Sequence, residues 1–286
     1  MNTLGIDIGG TSIKLALLTR GTTTLRELPA HTPHPTPDQL IPILARSLSE
    51  LPPIDRLGLC LPGLFDQRTR TLTASVNHPN LVGLNLDAFL ASARGDLPHA
   101  SVFPDAYAAA ADFAALHHHP GRLLALCLGT GVGACVLDAG VPLKVSPPDA
   151  PLSSGHLGQI DVSMAADTEP PIGPDGGRGS LEAYLGAPAL RARLGQDLHA
   201  ALADLNADDP AVLALVRTLR IAHAIYRPDT VALLGGIGLG LARLIPAIHA
   251  RTSTALTRLA RPNWRLLPAD DTFHAARGAA RLATTG

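Results

Sequence analysis

Three glycine-bearing turns, each at the end of an apolar run, carry the clearest chemical potential of this chain: Asp7-Ile-Gly-Gly-Thr11, Gly129-Thr-Gly-Val-Gly133 and Gly235-Gly-Ile-Gly238. Glycine admits positive φ and close approach of the backbone to a ligand, and successive amides then form nests for phosphate oxygens. One such turn is ordinarily only a turn. Three together, the first enclosing a carboxylate, point to a nucleotide. The residues that would cradle it are Gly9, Gly10, Thr11 and Ser12, then Gly129, Thr130 and Gly131, then Gly235, Gly236 and Gly238. No glycine loop closes on Gly-Lys-Ser/Thr, and the first glycines lead into a strand rather than a helix, so neither a P-loop nor a Rossmann fingerprint fits. Asp105, before the alanine-dense run Ala106–Leu116, reads from its surroundings alone as a helix N-cap. Lys14 is one of two lysines against 21 arginines; beyond the first turn, it reads at least as well as a solvated strand residue as a phosphate contact. The run His117-His-His119 before Pro120 has no carboxylate or cysteine near it in sequence and reads as a solvated helix end.

The elements that position these residues alternate between strands and helices. Leu4–Leu18 reads as a strand, glycine turn and second strand, and Leu123–Leu137 repeats that plan about 120 residues later, which implies internal duplication. A helix is expected at about 37 to 51, stopped by Pro52-Pro53, then a strand at Arg56–Leu61 that ends at Pro62-Gly63. Residues 65–104 read as turn-rich and 146–180 as a long irregular insertion, a kind of segment that in compact domains is usually functional or mobile. Helices are expected at about 180–225, a strand from Thr230 into the third glycine turn, a helix from about 240, and a last helix at Phe273–Ala283. An actin-like cleft, with two duplicated domains holding ATP between two phosphate hairpins, accounts for both hairpins and their spacing.

Composition removes several other classes. The 286 residues are 46% hydrophobic and carry 23 basic against 24 acidic side chains, for a net charge of −1. With no basic field and 3% aromatics, nucleic acid is not an expected partner. The uncharged apolar stretch Leu123–Leu137 is shorter than the ~20 apolar residues of a membrane span. The N-terminus lacks a basic lead and Asp7 interrupts its first apolar run, so no secretory signal or membrane association is expected and the cytoplasm is the default location. Cys60, Cys127 and Cys135 are odd in number and sit in apolar surroundings, which reads as buried reduced thiols.

Asp7-Ile-Gly-Gly-Thr11, Leu61-Pro-Gly63, Asn77-His-Pro79, Asp105-Ala106, Gly129-Thr-Gly131, Gly179-Ser-Leu-Glu182, Gly235-Gly236 and Gly278-Ala-Ala280 together resemble the repressor, open-reading-frame, kinase (ROK) family of sugar kinases, in the actin-like ATPase superfamily, over nearly the whole chain. The resemblance implies a duplicated, ribonuclease H-like α/β fold with a nucleotide cleft between its two domains. These would span 1–112 with 271–286 returning to it, and 113–270. It implies ATP and Mg²⁺ as cofactors, a small-molecule sugar as substrate, and a homo-dimer or homo-tetramer. In such kinases a sugar hydroxyl attacks the γ-phosphoryl group, and catalysis is mostly positioning and charge neutralisation. Asp105 is implied as general base, held ionised at a helix N-terminus by the macrodipole. Asp7 would hold Mg²⁺ through water, and Gly63, Asn77, Asp105, His156, Gln159 and Glu182 would face the sugar.

The chain departs from the family pattern where the sugar is held. Pro104 stands where the family has Asn before the base, His156 replaces a glutamate, and Gln159 replaces a histidine that is often a zinc ligand. The family's cysteine cluster falls on Gly173–Ser180, which has no cysteine, so structural zinc is not expected. Each lost bond to a hydroxyl costs roughly 1 kcal/mol, so losing two or three weakens glucose selectivity by ~10²-fold or beyond. Ordinary glucose is therefore expected to be a poor substrate. The alternative reading is a nucleotide-binding ROK-like protein that has lost turnover and acts by binding. A DNA-binding repressor is not expected, because the first hairpin begins at residue 4 and leaves no room before it for a helix-turn-helix.

Overall fold

The computed structural model describes residues 1–146, 152–164, 169–174 and 176–285. Of the 146–180 segment, residues 147–151, 165–168 and Asp175 lie outside the described residues, as does Gly286. The chain divides into two units, one built from Met1–Asp112 and the C-terminal helix, the other from Phe113–Ser146 and Ser153–Thr272.

The first unit runs β1 (Thr3–Ile8), β2 (Ile13–Thr19), β3 (Thr22–Glu27), α1 (Pro37–Leu48), β4 (Arg56–Cys60), β5 (Leu64–Asp66), β6 (Thr71–Ala74), α2 (Leu86–Ala93), β7 (Ala100–Phe103) and the first two turns of α3 (Asp105–Leu116), whose last residues, from Phe113, belong to the second. Its five-stranded sheet has the order β3-β2-β1-β4-β7. The first three strands are antiparallel neighbours, and β4 and β7 join in parallel. The second unit contains β8 (Arg122–Leu128), β9 (Val132–Asp138), β10 (Val141–Pro142), α4 (Leu181–Leu185), α5 (Ala187–Leu194), α6 (Leu198–Asp204), α7 (Pro210–Tyr226), β11 (Thr230–Leu234), α8 (Gly235–Gly240), α9 (Ile245–Ala255) and β12 (Arg265–Pro268); α10 (His274–Thr285) belongs to the first unit. Its sheet order, β10-β9-β8-β11-β12, repeats the first with the same strand senses. The duplication visible as two similar hairpins is thus a duplication of the whole sheet topology.

Alternation along β1 and β2 decides what each face does. Leu4, Ile6, Ile8, Ile13, Leu15 and Leu17 pack with Leu40, Leu44 and Leu48 of α1 into the first core. Burying each such side chain contributes about 1.5–3 kcal/mol. The opposite positions are small or charged: Gly5, Asp7, Lys14 and Ala16. There α10 lies against the sheet, so closely that a Cβ on Gly5 would collide with the Ala276 carbonyl and one on Gly58 with the Ala279 carbonyl. A Cβ on Gly278 would meet the Ala108 carbonyl of α3. The alanine- and glycine-rich stripe of α10 therefore serves backbone-to-backbone packing. The same seam holds a buried ion group, in which the fully buried Asp112 accepts from His274 Nδ1 at 2.8 Å, Arg277 Nε at 3.0 Å and Arg281 Nε at 2.8 Å. In the second unit Leu124, Leu126, Leu128, Val231 and Leu233 pack against Val212, Leu215 and Leu219 of α7.

Two expectations about elements are corrected. The stretch 65–104 is not merely turn-rich: it holds β5, β6, α2 and β7. Asn85 caps α2 by accepting the Ala88 N–H at 3.0 Å, and Leu86, Phe89, Leu90 and Ala93 give it a buried stripe at helical spacing. The helix expected from about 240 is α9, from Ile245, and a short additional helix, α8, directly follows β11, so the third glycine turn is itself helical. Among the described residues no helix is long and apolar enough to cross a membrane. No disulfide joins the cysteines; Cys60 and Cys135 are buried and Cys127 is half-buried.

Candidate active site: two glycine turns and a carboxylate pair

In the first unit the β1–β2 turn is closed by the Gly9 N–H donating to the Ser12 carbonyl at 3.0 Å. Two histidines brace it from behind. His31 Nε2 lies 3.1 Å from the Gly9 carbonyl, the His31 amide donates to the Thr11 carbonyl at 3.1 Å, and His78 Nε2 lies 3.2 Å from the Ile8 carbonyl. A carbonyl only accepts, so the His78 ring carries its proton on Nε2; both nitrogens of His31 face carbonyls, Nδ1 lying 2.9 Å from that of Thr32, and Nε2 donates to Gly9 when it carries the proton. Burial pushes His78 down to about 4, which keeps that ring neutral. Sequence reading missed His31, which sits among prolines with no pattern around it, and treated His78 only as part of Asn77-His-Pro79.

Asp7 pairs across the hairpin with Lys14, so both side chains share one face of the sheet. Lys14 is not a solvated strand residue: its side chain is 16% exposed, and Nζ turns back to Ser12 Oγ at 3.1 Å and to Glu27 at 3.5 Å. Asp7 is raised to about 7, first by burial and then by the nearby Asp105 carboxylate, with Lys14 opposing both. Asp105 is also raised, by burial, against the pull of backbone N–H groups including that of Ala106, which donates to Oδ1 at 2.8 Å. Two expectations change here. The Ala108 N–H reaches the Pro104 carbonyl at 3.0 Å, so Pro104 is the capping position and Asp105 the first helical residue. The macrodipole does not depress this carboxyl, because desolvation outweighs it.

Gly63 and Asn77 are tied into one loop assembly. Gly63 has φ +135°, and a Cβ there would strike the Ala74 carbonyl. Ser75 Oγ donates to the Pro62 carbonyl at 2.7 Å and accepts the His78 N–H at 3.0 Å, while the Asn77 carbonyl lies 3.1 Å from His34 Nδ1. Through His78 this assembly reaches the Ile8 carbonyl and so the glycine turn.

In the second unit the Gly129 N–H donates to the Gly131 carbonyl at 3.0 Å, and the Gly129 carbonyl accepts the Ala187 N–H at 2.9 Å. Glu182 holds the far side of this turn, with Oε2 accepting the Val132 N–H at 2.7 Å. It therefore has a structural bond that its expected role toward a sugar hydroxyl did not include. Gly235 has φ +79°, and a Cβ there would lie 2.5 Å from the Leu128 carbonyl, which brings the start of α8 against the end of β8. Beyond the backbone of Gly129 and Gly236 a Cβ would meet nothing within 4 Å, leaving open space at both. His156 and Gln159 flank one 3₁₀ turn, with the Gln159 N–H donating to the His156 carbonyl at 2.9 Å and both residues exposed. That turn is pressed onto β9, where a Cβ on Gly158 would lie 2.5 Å from the Val132 carbonyl.

The histidine run does follow a helix end, with His117 and His118 exposed, but not for want of partners. His117 Nε2 lies 2.8 Å from Asp270 and His119 Nε2 lies 2.8 Å from Thr230 Oγ1, so the fold supplies a carboxylate that the local sequence lacks. Among the described residues no group of three or more His, Cys, Asp or Glu is placed to hold a metal ion.

A ribonuclease H-like sheet built twice, each copy carrying a glycine turn on its first hairpin, defines the actin-like class of nucleotide-binding folds. Within it, the model of the ROK family matches residues 3–285, and the chain belongs to that family. An N-acetylmannosamine kinase of Vibrio cholerae is 28% identical over 273 residues, covering 88% of this chain and 91% of the relative. Among solved structures, a ROK family glucokinase from Streptomyces griseus in complex with glucose and AMPPNP superposes with a TM-score of 0.75 at 20% identity, covering 100% of each chain. A ROK hexokinase from Thermus thermophilus gives 0.69 at 22% identity, covering 100% of this chain and 98% of that one.

Proposed function

We propose that this chain transfers the γ-phosphoryl group of ATP to a hydroxyl of a sugar or sugar derivative. The observation that carries the reading is the Asp7–Asp105 pair: two carboxylates beside a glycine turn, both made harder to ionise by burial and one further by the other. Perturbed carboxylates at a backbone anion nest are a mark of chemistry rather than of packing. Asp105 takes the proton of the attacking hydroxyl, and a raised basicity suits that task because a base works best with a pKa near the operating pH. The amides of Gly9–Ser12 and Gly129–Gly131 hold phosphate oxygens, with Lys14 as a cation beside Ser12, and Gly235, Gly236 and Gly238 face the adenosine. Asp7 fits a divalent cation, since its charge is poorly compensated by Lys14 alone, and Mg²⁺ needs only one or two carboxylates plus phosphate oxygens and water. When bound, Mg²⁺ neutralises charge on the phosphates.

Gly63, Asn77, His156, Gln159 and Glu182 set the sugar. The N-acetylmannosamine kinases among the relatives make acetylated amino sugars the first class to test, and the histidine and glutamine at 156 and 159 argue against glucose. The test is ADP release with ATP and Mg²⁺ across hexoses, amino sugars, acetylated amino sugars and acidic sugars. Turnover with at least one sugar is expected. ATP binding with no turnover on any of them would overturn the reading in favour of a nucleotide-binding protein, which Pro104, His156 and Gln159 motivate.

A further inference from the structure

We infer that His31 is a positioning residue that aims the phosphate turn, holding the backbone so that the Gly10 and Ser12 amides face the phosphate oxygens of ATP. The inference rests on the reading of Gly9–Ser12 as a phosphate turn and adds what makes that turn competent. His31 addresses two carbonyls of the turn, Gly9 through its ring Nε2 at 3.1 Å and Thr11 through its own backbone N–H at 3.1 Å, while ring Nδ1 lies 2.9 Å from the adjacent Thr32 carbonyl; the Gly9 bond is made by the ring protonated on Nε2. All peptide bonds here are trans, and in a trans peptide a carbonyl and the N–H that follows it point in opposite directions. With the Gly9 and Thr11 carbonyls both turned to residue 31, the N–H groups of Gly10 and Ser12 both turn away from it. Among the described residues neither of these amides has a hydrogen-bond partner, whereas the Gly9 N–H is spent on the Ser12 carbonyl.

Two amides two residues apart, aimed to the same side, form a donor pair for one anion. Lys14 Nζ, 3.1 Å from Ser12 Oγ, adds a cation at the same place. Of the two anchors, the one to Thr11 comes from backbone and survives any side chain at position 31. The one to Gly9 is the ring's alone. Removing the ring therefore frees the Gly9–Gly10 peptide plane and with it the Gly10 N–H, while the rest of the turn stays closed.

The reach of the side chain gives a clean test. In His31→Gln the amide nitrogen stands near the position of Nε2 and can still donate to Gly9; in His31→Asn the same amide is one carbon short; His31→Leu has no donor. Calorimetry with Mg·ATP and with adenosine, each variant well below its unfolding temperature, is the measurement. Gln is expected to bind ATP within about threefold of wild type, and Asn and Leu about tenfold more weakly, the equivalent of one hydrogen bond to a charged group. Adenosine affinity should be the same in all four proteins. Asn binding ATP as well as Gln overturns the inference, as does a loss of adenosine affinity in parallel with ATP. The Gln and Asn pair decides the matter even if Leu does not fold. A wild-type protein that binds adenosine but gains nothing from its phosphates would sink the phosphate-turn reading itself.

Discussion

Replacing Asp7 by Asn should stabilise the metal-free protein at pH 8 while abolishing phosphoryl transfer. The folded state raises the Asp7 carboxyl from 3.8 to about 7, so the folded protein binds a proton more tightly than the unfolded chain does. A raised carboxylate pKa contributes stability at low pH and loses it as pH rises from about 4 through about 7. The full shift corresponds to about 4 kcal/mol; residual solvent contact of Asp7 reduces this to about 1–2 kcal/mol. Asn is never charged and escapes the loss. For a unit of this size the gain is about 5 °C in the unfolding temperature at pH 8. Scanning calorimetry at pH 4, 6 and 8, with and without Mg·ATP, reads it directly. The advantage of Asp7→Asn should grow with pH and disappear near pH 4, and Mg·ATP should reverse the order by stabilising only the wild type. A variant no more stable than wild type at pH 8 would refute the claim that Asp7 is held against its own charge.

Lys14→Met should weaken Mg·ATP binding about 10- to 100-fold in calorimetry, the scale of a charged hydrogen bond, and should lower the unfolding temperature of the metal-free protein at pH 8, because Lys14 is the cation that opposes the raised Asp7 carboxyl. Gly278→Val should destabilise the first unit by about 3 kcal/mol or more in urea unfolding, since any Cβ there meets the Ala108 carbonyl, a backbone atom that cannot step aside. His223 is buried, stacks edge-on against Trp264 at 4.6 Å, and has no hydrogen-bond partner on either ring nitrogen among the described residues. Burial lowers it from 6.5 to about 4, so protonation of the unfolded chain destabilises the protein as pH falls through that window, by about 3 kcal/mol at most. His223→Leu should flatten that acid limb in pH-dependent unfolding.

The elements that were legible in the sequence are those whose signals are local. The Leu4–Leu18 and Leu123–Leu137 hairpins announce themselves by apolar runs around glycine, and Asp105-Ala106 by a carboxylate before an alanine run. The helix Leu86–Ala93 had a cap and a stripe as well, but surrounding turn residues masked an element only eight residues long. What stayed unreadable depends on contacts across long separations. His31 meets Gly9 across 22 residues, His117 meets Asp270 across 153, and Asp112 meets Arg281 across 169. Asp105 stands one position inside the cap that its sequence suggested, and its electrostatics were not legible, because the N-terminal dipole is visible from helix spacing whereas desolvation is set by what packs around it. Lys14 was undervalued for the same reason: nothing in its neighbours says that its side chain folds back onto Ser12.

In the proposed reaction Asp105 accepts the proton of a sugar hydroxyl as the phosphoryl group moves. Single-turnover transfer of the labelled γ-phosphoryl group of ATP to an accepted sugar, in wild type beside Asp105→Asn at equal nucleotide occupancy, tests it most directly. Transfer should be slower by about 10²–10⁴-fold in the variant, the usual worth of a general base, with ATP binding intact. Transfer at the wild-type rate in Asp105→Asn would contradict it.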